Sequence, residues 1–252
     1  MFGISKHSLD TNIGRLTTTR ASLAGSSAIA LLVVLSLAAH AADEPKREMW
    51  EEPSHQLVFE LGNIRILDIR IAPGATSEFH SHYLATVYIR IQDALMQNQD
   101  LGEAWDDKVD RAYGSPGSVI DAAGYVDRNT YHRVHNFDDR GFHLLSIVNA
   151  ANPMADVEQV PDDAGKDLLN NSWFREHRLL LGPGETSGEL VFENNAVLVQ
   201  YDSGAAHVLE EGVSHSIRNV PGSWSWHPAH SSFRLVNGVD EPREFILIEV
   251  RE

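Results

Sequence analysis

Residues 72–91 read APGATSEFHSHYLATVYIRI. Pro73-Gly74 is a turn signal, the β-branched and aromatic run 86–91 is a strand signal, and His80-Ser81-His82 lies between them. Side chains two residues apart on a strand share a face, so His80 and His82 project the same way, about 6.6 Å apart along the chain. Two imidazoles so placed can lean onto one ion at about 2.0–2.1 Å. Two ordinary polar residues on a strand have the same spacing, so the choice rests on the rest of the chain.

Working outward, short β-branched and aromatic runs recur at 64–71, 142–148, 196–201 and 245–250, separated by Gly, Pro, Asn and Asp. This pattern predicts an all-β protein. Helical periodicity is confined to two short stretches, 100–109 and 161–170. The opening stretch also has a copy. Residues 71–77, IAPGATS, are echoed by 181–187, LGPGETS, and the strands 86–91 and 196–201 follow at the same offset. Further on, Asn136 with 142–148 matches Asn237 with 245–250. Two copies of one β unit therefore fill the chain, joined through the Pro-, Asp-, Gly- and Asn-rich stretch 152–171.

Tyr131-His132-Arg133-Val134-His135-Asn136 adds a third histidine three residues ahead of an asparagine. The spacing Gly74-x5-His80-x-His82, followed by His132-x3-Asn136, resembles the two motifs of the cupins. The resemblance implies jelly-roll barrels with a metal in the mouth, and the duplication makes the chain look like a bicupin, all-β with two tandem barrels. It implies an N-terminal domain over 42–155 that holds the metal and a C-terminal domain over 156–252 that does not. Its metal ligands would be His80, His82 and His132. The common pattern has a glutamate where this chain has Thr86, and Asp127 and Asn129 replace the proline and glycine of the second motif. Three neutral imidazoles leave the full divalent charge facing the cavity, which favours an anionic or chelating ligand. The family resemblance points to Fe(II), with Mn, Ni, Cu and Zn also suited to imidazole, and to a dioxygenase or related oxidoreductase acting on a small acidic or aromatic compound. Isomerases and lyases belong to the same resemblance. The alternative is a non-catalytic module that binds a small molecule or metal, and a third reading is a structural protein with vestigial histidines.

If Thr86 faces inward, alternation sends Tyr88 and Arg90 inward too, Tyr88 as a candidate proton donor and Arg90 as a candidate anchor for an acidic substrate. Glu78 shares the face of His80 nearer the turn, and His135 falls on the face opposite His132. His143, at the head of the next strand, is a candidate for a contact behind the metal. In the second copy the places of His80, His82 and His132 fall to Leu190, Phe192 and Phe233, so that barrel is expected to be closed to metal and filled as core. His207, His215, His227 and His230 fall at loop-like positions, and Trp224 and Trp226 are expected in a core between the two halves.

The first 41 residues read as a secretory signal: Lys6, Arg15 and Arg20, an apolar run over 28–39, and Ala39-His40-Ala41 ahead of the expected cleavage. The apolar run is shorter than the roughly 20 residues of a spanning helix, and an uncut anchor is the competing reading. Loss of this leader moves the formal charge from −16 to −18, because three cations leave with one anion. So acidic a surface predicts neither nucleic acid nor, after cleavage, membrane as a partner. An export signal on a chain with no cysteine suits a bacterial periplasm or secretion, and it rules out thiolate ligands and thiol nucleophiles. The expected partner is a small, anionic substrate, and the oligomeric state is left open.

Overall fold

Two identical turns mark the starts of the two copies. In each a Pro-Gly pair holds the corner, with Gly74 at φ 69° and Gly184 at φ 65°, and the turn closes by Ala75 N–H to Ala72 O (3.0 Å) and Glu185 N–H to Gly182 O (3.1 Å). Proline presets the first corner residue, and only glycine takes the left-handed second corner without strain. The computed structural model describes residues 47–107, 109–111, 114–155, 157, 168–210, 213–217 and 220–252. The expected leader and most of the expected helix over 161–170 lie outside the described residues.

The described residues are all-β apart from one 3₁₀ turn, Ala123–Val126. The first ten strands are β1 (Arg47–Glu48), β2 (His55–Leu61), β3 (Ile64–Ile71), β4 (His80–His82), β5 (Ala85–Gln92), β6 (Leu95–Asp100), β7 (Asp110–Arg111), β8 (Val119–Asp121), β9 (Thr130–Asn136) and β10 (Phe142–Asn149). They form two five-stranded sheets, β1-β4-β9-β6-β7 and β2-β3-β10-β5-β8. The next eight are β11 (Phe174–Leu181), β12 (Leu190–Val191), β13 (Asn195–Gln200), β14 (Ala206–Glu210), β15 (Val213–Ile217), β16 (Ser223–His227), β17 (Ser232–Asn237) and β18 (Arg243–Val250). They form β11-β18-β13-β16 and β12-β17-β14-β15. The helix expected over 100–109 does not form: β6 ends at Asp100, and Glu103 N–H turns back onto Asp100 O at 3.0 Å. Gly102, at φ 84°, breaks the run that the helical periodicity suggested.

Three apolar clusters explain why the central strands read as continuous hydrophobic runs. One face of β5 and β10 (Tyr88, Leu144, Val148) packs with Leu67, Ile69 and Ile71 inside the first half. Leu198, Phe233, Leu235 and Leu247 do the same inside the second. The other faces meet: Ile64, Ile66, Val87, Ile89, Leu145 and Ile147 pack with Phe174, Val197, Val199, Ile246 and Ile248. Trp224 and Trp226 join this shared core, with Phe59 at 5.7 and 4.8 Å between ring centroids. Both faces of β5 and β10 are buried: the face toward the shared core is aliphatic (Val87, Ile89, Leu145, Ile147), and the inner face of the first half mixes Leu144 and Val148 with Thr86, Tyr88 and Arg90.

The repeated asparagine is a brace for each turn. Asn136 Nδ2 donates to the carbonyls of Ile71, Ala72 and Arg140, and Asn237 Nδ2 donates to those of Leu181, Gly182 and Glu241. Both residues are fully buried. A buried amide with three carbonyl partners ties the strand that bears the third histidine to the turn that launches the first two.

Candidate metal centre

β4 carries His80 and His82 on one face, and β9 pairs with it so that His80 lies opposite His132. Side chains from adjacent strands then meet at a single point. The three rings are buried and lie 4.8 to 5.0 Å apart by centroid, and one potential ligand nitrogen from each falls within 4.8 Å of the other two.

An outer partner holds each ring. His80 Nδ1 donates to the Glu78 carbonyl at 2.9 Å, His132 Nδ1 donates to Asn98 Oδ1 at 2.5 Å, and His82 Nδ1 meets the Tyr88 hydroxyl at 3.2 Å. A proton on every Nδ1 satisfies all three contacts and turns three Nε2 lone pairs inward, the arrangement expected of histidines prepared for a cation. His82 Nε2 and His132 Nε2 are 3.0 Å apart. Two ligands at about 2.1 Å and a right angle are separated by about 3.0 Å, whereas a tetrahedral angle would separate them by about 3.4 Å. The donor set fits a divalent ion, which His80, His82 and His132 would hold.

Burial sets the electrostatics. It pushes the His82 imidazolium well below the ordinary histidine range and lowers His80, against the opposing pull of the Glu78 carbonyl. His132 is pushed down to about 3, by burial first and then by the neighbouring His80. The rings are therefore neutral at neutral pH and their lone pairs are available.

The centre sits in the wall of a cavity of about 970 Å³. Ile69, Ile71, Met96, Phe142 and Leu144 give it an apolar floor, and Asp106, Asp121 and Arg128 bring charge to its exposed side. Tyr88 lines this cavity. Arg90 faces the same side of β5 and is fully buried, but it does not line the cavity; its guanidinium lies 4.5 Å over the Phe142 ring. Thr86 donates its hydroxyl to the Leu84 carbonyl and is likewise not part of the lining. Glu78 is exposed and pairs with Arg47 at 2.6 Å, leaving only its backbone in the site. His135 bonds Thr76 outside the cavity. His143 does not stand behind the metal: it binds Asp68 at 2.7 Å and packs against Gly222 of the second half, because β10 turns it to the face opposite Leu144.

Motif spacing misses a fourth imidazole. His55, at the head of β2, is 5% exposed, lines the cavity, and places its ring 4.5 Å from that of His80, edge to face. Its Nδ1 is fixed by the Met49 carbonyl at 2.8 Å. Asn98 and Tyr125 are also missed. Tyr125 stacks on His82 at 4.7 Å from the 3₁₀ turn.

The second half repeats the frame without the site. Leu190 pairs with Phe233 as His80 pairs with His132, and Leu190 and Phe192 pack on a core that contains Phe233. His207, His215 and His227 stand on β14, β15 and β16 rather than in loops. His227 is buried against Phe233 (3.7 Å between centroids), with Nδ1 at Glu210 and Nε2 at Ser225 Oγ, so it belongs to the filling of that barrel. His230 alone of the four is in a turn, at φ 61°.

No protein-family model matches the chain, and no curated protein matches it by sequence. Solved structures do resemble it. AerE from Microcystis aeruginosa is 16% identical with a TM-score of 0.55, over 79% of this chain and 94% of its own. A point mutant of salicylate 1,2-dioxygenase from Pseudoaminobacter salicylatoxidans in complex with gentisate is 9% identical with a TM-score of 0.55, over 86% and 79%. The unsubstituted enzyme gives 10% and 0.53, over 86% and 82%. Together with the paired sheets of each half, this likeness establishes the fold as all-β, of the cupin jelly-roll kind.

Proposed function

We propose that the chain is an exported, iron-dependent bicupin dioxygenase acting on a small aromatic or otherwise acidic compound. Residues 42–155 carry the centre and residues 156–252 form a packed partner domain. The leader over 1–41, cleaved after Ala41, would deliver it to the periplasm. The observation that carries the reading is the convergence of three inward Nε2 atoms on the wall of a large cavity with an apolar floor.

A bound Fe(II) ion would supply open positions for substrate and dioxygen and a redox couple. The residues of the chain do the rest. His80, His82 and His132 hold the ion without offsetting its charge, which favours an anionic ligand. Ile71, Phe142 and Leu144 take an aromatic or aliphatic body and exclude water from it. Arg128 lies where a substrate carboxylate could be met at the mouth. A neighbour crystallised with gentisate suggests hydroxylated aromatic acids as the first substrates to try.

Tyr88 touches His82 and Arg90 lies outside the cavity lining, so neither of these side chains shows itself as an acid or base at the open side. That favours, as a second reading, a module that binds the same compounds without turnover. Two measurements separate the readings. Metal content of the purified protein is compared with that of a His80→Ala, His132→Ala double variant, and oxygen uptake is followed over a panel of hydroxybenzoates and small dicarboxylates. Equal metal in both proteins defeats both readings. Metal loss in the variant with saturable ligand binding but no oxygen uptake selects the binder.

A further inference from the structure

We infer that Glu52 is a positioning residue of the metal centre: its buried carboxylate anchors the backbone at Glu78, whose carbonyl holds His80, and places behind that ring the negative charge that the three imidazoles lack. This rests on the reading of His80, His82 and His132 as metal ligands.

Glu52 is 3% exposed, in the turn between β1 and β2. Its Oε1 accepts the Glu78 N–H at 3.0 Å, and Oε2 accepts Ser54 N–H at 2.7 Å and the Ser54 hydroxyl. His55 Nε2 stands 3.7 Å from Oε2, beyond hydrogen-bond reach. Among the described residues no Lys or Arg pairs with Glu52. The donors that face this buried carboxylate, two backbone N–H groups and one hydroxyl, are all neutral.

One of those donors leads to the metal. The peptide nitrogen of Glu78 gives its proton to Glu52, while the carbonyl oxygen of Glu78 takes the proton of His80 Nδ1 at 2.9 Å. The carbonyl that accepts the imidazole N–H raises the basicity of His80 Nε2, and the carboxylate that anchors the same residue's N–H fixes where that carbonyl stands. With Thr86 at the position of the usual glutamate and its hydroxyl turned to Leu84, the ligand group found among the described residues consists of three histidines and no carboxylate. Glu52 places that charge one hydrogen-bonded layer further out.

The test is metal affinity rather than turnover. Zn²⁺ is titrated calorimetrically into metal-stripped wild type, Glu52→Gln and Glu52→Asp, with circular dichroism confirming the fold of each. Glu52→Gln is expected to weaken Zn²⁺ binding about 10- to 100-fold, and Glu52→Asp, which keeps the charge, to recover most of that loss. Affinity of Glu52→Gln within twofold of wild type overturns the inference, as does an equal loss in both variants, which would assign Glu52 to packing alone. If Glu52→Gln does not fold, Ser54→Ala decides. It strips one donor from the carboxylate and leaves the charge behind His80 less offset, so binding should tighten; weaker binding overturns the inference. A wild type that takes up no Zn²⁺ defeats the metal-centre reading itself, an outcome distinct from a tight wild type with an indifferent Glu52→Gln.

Discussion

Leu190 pairs with Phe233 across β12 and β17 in the register by which His80 pairs with His132 across β4 and β9. One frame thus holds a ligand set in one copy and a packed plug in the other. Where imidazoles are replaced by Leu190, Phe192 and Phe233 the barrel gains apolar burial, and His227, stacked on Phe233, completes the plug. Phe233→Ala should therefore behave as a core truncation, costing about 3–5 kcal/mol in urea unfolding while leaving metal content unchanged. A cost under about 1 kcal/mol would show that the second barrel is not filled by this ring.

Much of this was legible in the residues. Pro73-Gly74 and Pro183-Gly184 announce identical turns, and Asn136 and Asn237 announce identical braces, because each is the one side chain able to meet its backbone demand. The histidine trio was legible because two-residue periodicity fixes a face. His55 was not, since it comes from a different strand with no histidine at i+2, and only the pairing of β2 with β3 carries it to the cavity. Arg90 misled for the opposite reason: alternation gives its side of the sheet correctly but not its depth, and it ends over Phe142, outside the cavity lining. His227 looked like a loop residue beside Pro228, yet β16 extends through it and ends only there.

Tyr88 and Asn98 hold His82 and His132 by their Nδ1 atoms, so they should govern metal affinity more than chemistry. Asn98→Ala is expected to lower affinity for a divalent ion about 10- to 100-fold. Tyr88→Phe should move affinity in the same direction. Calorimetric titration alongside steady-state kinetics checks this: a Tyr88→Phe variant with full affinity and a collapsed kcat would make the hydroxyl a proton donor instead.

Among the described residues Arg128 is the one arginine or lysine that lines the cavity, and two carboxylates, Asp106 and Asp121, line the same space. A charge-assisted contact to a substrate carboxylate at an exposed mouth is worth about tenfold in binding. Arg128→Gln should raise KM for an anionic substrate by about that factor, with kcat within about twofold, and should leave a neutral analogue of the same shape unaffected. Equal effects on the charged and neutral compounds would remove Arg128 from substrate recognition.

Acid should loosen the second half through Glu249. This residue of β18 is 6% exposed; burial alone would raise its pKa, but hydrogen bonds from His177 at 3.2 Å and from Asn194 outweigh it and hold the carboxyl at about 2, against an ordinary 4.5. Between those values the unfolded chain binds the proton and the folded chain does not, so stability rises with pH across the window. The contribution is complete above about pH 4.5 and is lost as pH falls toward 2; at about 1.4 kcal/mol per unit it is on the order of 3 kcal/mol. Urea unfolding at pH 5.5 and pH 3 measures it. Wild type should lose more stability between the two than Glu249→Gln does, because the amide keeps a similar shape and has no proton to gain, and matched losses would place the acid sensitivity elsewhere in the chain.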